Sequence, residues 1–448
     1  MRLVAGACAL CLWSGAAVAS GFALHEESSE GMGNAFAGET ARGTDASTIF
    51  YNPAGMAHLS SDEVDGNVSY LAPTSTFQGS NSSPLGGTVA GTSGGNAVQA
   101  TPIGSVFAVY APAPAWRIGL SVDVPYGLRT QYPSDWVGRY QALTSQVTNV
   151  EIELAASWQI TDHLSIGGGP RLDYLQAQLT QALNMRAIGL GAAQQLAGLG
   201  QFAQAAGVAG LASTWGDGQA SMTGSDWAVG YGAGALYTID ASTRLGIAYR
   251  SRIDNKISTE LVNSLPSTVS AVPLIASNFT NQSVSAKITL PDSANVGLYH
   301  DINSQWTLLS DVQWTDWSVF RQLDILNTSG QSVTDTQEHW RNTWFLSLGA
   351  DYRATSSLTL HAGLAYETTP VTDPYRNARI PDCNRRWLGL GASYAVTKSL
   401  DLHISYAHIF GYSVPIDEAA AANTAGGTLL GAYAGSIDMA SAGMAFRF

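Results

Sequence analysis

Asp401, His403 and Ser405 place an acid, a base and a nucleophile in order along the chain. A hydrolytic triad needs the base within hydrogen-bond reach of both partners. These three alternate with Leu402 and Ile404, so they share one face of one strand. Residues i and i+2 of a strand sit about 7 Å apart and point the same way, a spacing that opposes those hydrogen bonds. An outer-membrane hydrolase is therefore the weak reading. The 8 His residues form no metal-ligand spacing. The GxG within Gly230–Gly234 is followed by no helix, so it fits close strand packing rather than a nucleotide loop. No catalytic residue, metal or cofactor is expected.

The elements that carry these residues are strands for a membrane. Charged residues make up only 12% of the 448, about half the usual share, while Gly reaches 47. Beyond the N-terminus no stretch offers about 18 apolar residues in a row, which excludes a helical membrane protein. The last strand, within Tyr433–Phe448, carries Ala440, Ala442, Met444, Phe446 and Phe448 on one face and Ser441, Gly443 and Arg447 on the other. A strand apolar on one side and ending on an aromatic residue is the expected close of an outer-membrane β-barrel. Residues 1–19 read as a secretory signal: Arg2, an apolar Leu3–Trp13, then Ala17-Val18-Ala19 as cleavage site. Cys8 and Cys11 leave with it, so Cys383 alone remains and forms no internal disulfide. A net charge of −13 argues against nucleic acid as a partner.

From Glu63 onward, period-2 segments recur to the end, fourteen in all. Connections after even-numbered strands are short (Pro112–Ala115, Thr161–His163, Asp240–Ser242, Lys398). Those after odd-numbered strands are long, notably 181–224 and 260–284. Sorting by parity with an even strand number is the outer-membrane pattern, tight turns inside and long loops outside. The expected fold is all-β: a 14-stranded antiparallel transmembrane β-barrel over 62–448. Residues 20–61 lack a sustained period of two and read as an N-terminal hatch with short helical turns. A barrel this wide is open unless filled, so the hatch is placed in the lumen, and a polar-solute porin is disfavoured. The outer loops are apolar, with Leu196, Leu199 and Phe202 in one and Leu274 and Ile275 in the other. They either pack together as a lid or leave a groove for a hydrophobic solute; an adhesin would carry polar loops.

Ordered motifs across the mature chain resemble the FadL/TodX outer-membrane transporters. Ser20-Gly21-Phe22-Ala23-Leu24-His25-Glu26, Ser29–Glu39, Asn52-Pro53-Ala54, Gln305–Phe320 and Ile380-Pro381-Asp382 before Arg386-Trp387 carry the resemblance. It implies passive uptake of a hydrophobic small molecule, a long-chain fatty acid first and an aromatic or aliphatic hydrocarbon as alternative. The route would be capture at outer loops, binding in a lumen pocket and lateral release into the membrane. It further implies hatch and gating roles for Ser20, Gly21, Phe22, Asn52, Pro53 and Ala54. A lateral opening falls at Pro125, Tyr126 and Gly127, where proline cannot donate to the ladder; the plainer reading is a strand end. Arg341 and Arg386 fall where relatives carry basic residues, and a guanidinium holds a carboxylate by paired hydrogen bonds. The competing role is a lumen salt bridge to Asp351 or Glu338. Where some relatives place a further basic residue, this chain has Gln181, which leaves room for uncharged hydrocarbons. Residence in a Gram-negative outer membrane, with its lipid, lipopolysaccharide and barrel-assembly machinery as partners, and a monomeric state complete the expectation.

Overall fold

A computed structural model describes residues 20–418 and 426–448; the expected signal peptide lies outside them. Fourteen antiparallel spans close into a barrel. Closure is made by the first span, Glu63–Ser82, against the last, Thr428–Arg447, in a register from Glu63 with Arg447 to Ser82 with Thr428. No sheet edge is then left in lipid, where an unpaired backbone group would cost several kcal/mol, on the order of a lost hydrogen bond or more. Among the described residues no helix is long and apolar enough to cross a membrane.

Alternation sets the two faces. On the tenth span, Thr343–Arg353, Trp344, Leu346 and Leu348 are exposed while Phe345, Ser347 and Asp351 are buried. The thirteenth, Leu400–Gly411, likewise exposes Leu402, Ile404 and Tyr406 and buries His403 and Ser405. Exposed Tyr110, Trp116, Trp158, Tyr237, Trp306 and Tyr394 lie near the tight-turn end, and Trp344, Tyr366 and Phe410 near the long-loop end. These are the interfacial belts.

Three spans are broken. The third comprises Trp116–Asp123 and Gly127–Gln131. The seventh comprises Thr243–Arg250 and Ile253–Ser264, and the eighth Gln282–Leu290 and Ser293–Asp301. At the seventh the pattern inverts: Leu245 and Ile247 face out below the break, but above it Ile253 and Ile257 face in and Asp254, Lys256 and Glu260 face out. The inversion marks where the wall leaves lipid for water. Arg252 bonds Asp292 at 2.7 Å across the two breaks. The first span continues to Ser82, and the sixth starts at Gly218, inside the expected loop 181–224, because both extend into the outer loops.

The long loop after the fifth span holds helices Met185–Gly198 and Phe202–Ala212. Their Met185 and Ala212, with Trp215, pack on Val269, Val272 and Ile275 of the second apolar loop. The two loops thus form a joint lid. Leu196 and Ile275 are buried in it, while Leu199, Phe202 and Leu274 remain exposed on its crown.

Candidate functional site: a hatch lip seated in a break of the wall

Residues 20–61 run through the lumen as short turns of helix, Ser29–Gly33, Glu39–Arg42, Thr48–Tyr51 and Pro53–His58. Their length is limited by small residues and glycine caps: Gly38 and Gly43 flank the second with positive φ. The barrel wall accommodates this backbone at glycines. A Cβ on Gly363 would overlap the Asn34 carbonyl, and one on Gly246 the Thr40 carbonyl. Arg42 is buried and pairs with Asp351, the expected lumen acid, and also with Glu39 at 3.1 Å and Glu30 at 3.4 Å. Burial pushes the Glu39 carboxyl up to about 8, because Arg42 is divided among three carboxylates and offsets little of the desolvation.

Asn52 caps the last helical turn by accepting from Ala54 N at 3.1 Å. Its amide donates to Thr40 O at 2.7 Å and to Ala235 O of the sixth span at 3.1 Å. Ser165 donates to Ala54 O at 3.0 Å. Asn52-Pro53-Ala54 therefore ties the hatch to the fifth and sixth spans. It does not join the group formed by Ser20, Gly21 and Phe22.

That group meets the broken third span. Trp116–Asp123 is paired with both the second and the fourth spans, but Gly127–Gln131 pairs with the fourth alone. The second span, Thr101–Ala113, pairs with the third only from Val106 onward. A window results. It is closed below by Val106 with Val122 and above by a bridge of Val98 with Thr130. The hatch fills it. Leu24 N donates to Pro125 O and Gly127 N to Phe22 O, each at 2.8 Å, and Ala23 bridges Tyr126. Glu27 reaches both edges: its carboxylate accepts from Val124 N at 3.2 Å and its carbonyl from Ser105 Oγ at 2.8 Å. The third span is thus interrupted between Asp123 and Gly127, and the hatch takes up Pro125 O and Gly127 N there.

Phe22 is 2% exposed. Its ring lies 4.7 Å from that of Trp317, 5.9 Å from Trp340 and 6.0 Å from Phe320 and Tyr126. Leu128, Leu175, Ile253, Ile257, Ile288 and Leu290 complete an apolar chamber around it. Gly21, at φ +63°, turns the chain in, and a Cβ there would stand 2.6 Å from the Trp340 ring. Gly21 N donates to Asp382 at 3.0 Å and Ser20 Oγ to Thr368 O at 3.0 Å. The buried Trp317 Nε1 has no hydrogen-bond partner among the described residues.

The two expected head-group arginines lie elsewhere. Arg386 is on the lipid-facing side of the twelfth span, Arg385–Ala395, with its guanidinium 5.1 Å from the Tyr412 ring. Strand alternation puts Arg385 inward instead, paired with Asp382 and Glu367. Arg341 is exposed, its Nε donating to Thr369 O at 3.1 Å, and it makes no salt bridge to Asp351 or Glu338. Another cation, Arg379, lies beside chamber residue Ile380. It donates to Ser145 Oγ at 3.1 Å and to Gln181 Oε1 at 2.6 Å, the position expected from the resemblance to lack a basic group. No carboxylate lies within salt-bridge distance of Arg379 among the described residues, and burial lowers its basicity. Nearby Glu338 accepts from Trp340 Nε1 at 2.9 Å, and burial pushes it up to about 8.

The Asp401, His403 and Ser405 side chains separate: Asp401 pairs with Arg447 at 2.6 Å, His403 bonds Ser393, and Ser405 Oγ finds no partner among the described residues.

A closed barrel with a lumen hatch, a wall break and an apolar chamber defines an outer-membrane transport protein for apolar solutes as the class to test. Residues 10–448 match the family described as outer membrane protein transport protein (OMPP1/FadL/TodX), and the chain belongs to it. It is 29% identical over 424 residues to the long-chain fatty acid transport protein of Escherichia coli K12, covering 92% of each chain. In fold it is similar to a Pseudomonas aeruginosa FadL homologue (TM-score 0.84, 24% identity, 96% of this chain and 100% of that one). It is also similar to the P. putida toluene transporter TodX (TM-score 0.66, 15% identity, 94% and 99%). The protein is an outer-membrane β-barrel of a family made up of transporters.

Proposed function

We propose that the protein carries long-chain fatty acids passively across the outer membrane and releases them sideways into the bilayer. The observation that carries this reading is the hatch lip. Residues 22–27 hydrogen-bond both edges of the wall window while Phe22 fills the apolar chamber beside it. One displacement of the lip therefore empties the chamber and opens the wall. A solute would be taken up at Leu199, Phe202 and Leu274 on the lid crown, move into the chamber, and leave between Ser105 and Pro125. Each stage offers apolar surface to a molecule that partitions poorly into polar surroundings. Ser20 and Gly21 position the lip, whereas Asn52-Pro53-Ala54 anchors the part of the hatch that stays. The chain is proposed to work as a monomer, placed by the barrel-assembly machinery among outer-membrane lipid and lipopolysaccharide.

A carboxylate is favoured over an uncharged hydrocarbon because Arg379, buried beside Ile380 and in no direct salt bridge among the described residues, and the unpartnered Trp317 indole N–H lie at the chamber. Uptake of labelled oleate, toluene and a sugar by cells with and without the protein tests the class. Arg379→Gln should lower oleate uptake about tenfold, the worth of a charge-assisted hydrogen bond, and spare toluene. Equal loss of both would place Arg379 in the scaffold, and unchanged uptake on deleting the protein would overturn the reading.

A further inference from the structure

Where the hatch packs against the thirteenth span, two hatch carboxylates converge on one wall imidazole. Ligand atoms of Glu30, Asp45 and His403 all lie within 4.8 Å of one another. His403 is 5% exposed, and its Nε2 has no hydrogen-bond partner among the described residues. Its other nitrogen is fixed. Nδ1 lies 2.7 Å from Ser393 Oγ, which lies 2.7 Å from His361 Nε2, and His361 Nδ1 lies 2.6 Å from Asp351 Oδ1.

One direction of donation around this relay leaves a free lone pair: Asp351 accepts from His361 Nδ1–H, His361 Nε2 accepts from the Ser393 hydroxyl, and Ser393 oxygen accepts from His403 Nδ1–H, so that His403 Nε2 presents its lone pair toward Glu30 and Asp45. An imidazole whose remote N–H is held by an oxygen is the arrangement of a metal-ligating histidine. Asp45 is oriented by Ser47, whose N and Oγ donate to Oδ1 at 2.9 and 2.5 Å. The neighbouring set of Glu30, Asp351 and His361 is already satisfied, since Arg42 and His361 both bond Asp351. Arg42 touches Glu30 only at 3.4 Å and is shared with two other acids.

We propose that Glu30, Asp45 and His403 bind one divalent transition-metal cation of the zinc class, which staples the hatch to the thirteenth span. One imidazole nitrogen and two carboxylates suit such an ion and leave a position for water, whereas calcium and magnesium favour oxygen alone. Two carboxylates match the double positive charge in a region otherwise crowded with buried acids, Glu63 and Asp65 among them. Because the ligands come from hatch and wall together, the ion binds the seated hatch and stabilises it by mass action.

The test uses the full mature chain in detergent, stripped with EDTA and dialysed against micromolar zinc chloride, with metal measured by mass spectrometry. Cobalt(II) absorption serves as a second readout. Wild type should retain about one cation per chain. His403→Ala and Asp45→Asn should retain at least about tenfold less, and Ser393→Ala should weaken affinity about 10–100-fold by freeing the imidazole. His408→Ala, at an outward-facing, half-buried histidine on the same span paired with Asp438, should bind as wild type. Heat-dependent gel mobility checks that each barrel is folded. Wild type holding no more metal than His403→Ala, or loss of the ion in His408→Ala instead, would overturn the proposal.

Discussion

The hatch is attached to its barrel in two unlike ways. From Ser28 to Leu59 it is held by buried charge and by backbone pressed against wall glycines: Arg42 on Asp351, Asn34 amide donated to Asp351 at 3.0 Å, Asn52 on Ala235, and the Asn34 and Thr40 carbonyls against Gly363 and Gly246. From Ser20 to Glu27 it is held by backbone hydrogen bonds to a strand break, by Phe22 among aromatic neighbours, by side-chain contacts of Asp382 and Glu27 at its two ends, and by His25, which lies against the Phe345 ring and 3.4 Å from Glu367. Breaking the first leaves charges unpaired in a buried site. Breaking the second exchanges an aromatic side chain for whatever apolar molecule enters, and frees backbone groups at the edge of a window. Under the proposed mechanism the first eight residues are the moving part of the hatch, with the remainder acting as wall.

The largest effect should come from the anchor. Arg42→Met strands three acids, Asp351, Glu39 and Glu30, and should cost about 3–5 kcal/mol. Thermal unfolding followed by gel mobility should fall sharply; an unchanged midpoint would mean the charges do not hold the hatch. The lip should respond differently. Phe22→Ala removes a buried aromatic worth about 3 kcal/mol, so hydrogen exchange at 22–27 should accelerate by about a hundredfold while 29–59 stays protected. Equal acceleration of both stretches would erase the distinction between them.

The smallest effect is on pH. Seated Glu39 titrates near 8 because of burial, against an ordinary value of 4.5. The folded state therefore binds more protons than the unfolded one between these values, so stability falls as pH rises through that window. The Glu39 contribution should be full below about pH 4.5 and lost above 8, with unfolding midpoints at pH 5 and 9 as the measurement. Glu39→Gln should remove this component. A wild-type midpoint that rises with pH would contradict the assignment.

The barrel was readable because lipid forces period-2 alternation and because loop length sorts by parity, both visible along Trp344–Tyr352 and Leu400–Tyr406. The break at Pro125 was readable because proline cannot extend a ladder. Which arginines turn inward was not, for two reasons. Arg385 and Arg386 differ only in parity, and the outward Leu388 and Leu390 give the signal that Arg386 faces lipid with them. Arg379 sits in a loop without periodicity, and only the fold brings it to Gln181. The His403 relay is equally hidden: Asp351, His361, Ser393 and His403 come from four spans and meet only through cross-strand register.

The central claim is that lip movement opens the wall. Ala23 and Tyr126 face each other as an antiparallel bridge, where Cα separations of about 4.5–5.5 Å suit a disulfide. In a Cys383→Ser background, Ala23→Cys with Tyr126→Cys should lock the lip when oxidised. Oleate uptake should then drop to the level of cells lacking the protein and recover on reduction, with barrel assembly unchanged. Uptake that is equal in the oxidised and reduced states would contradict the account.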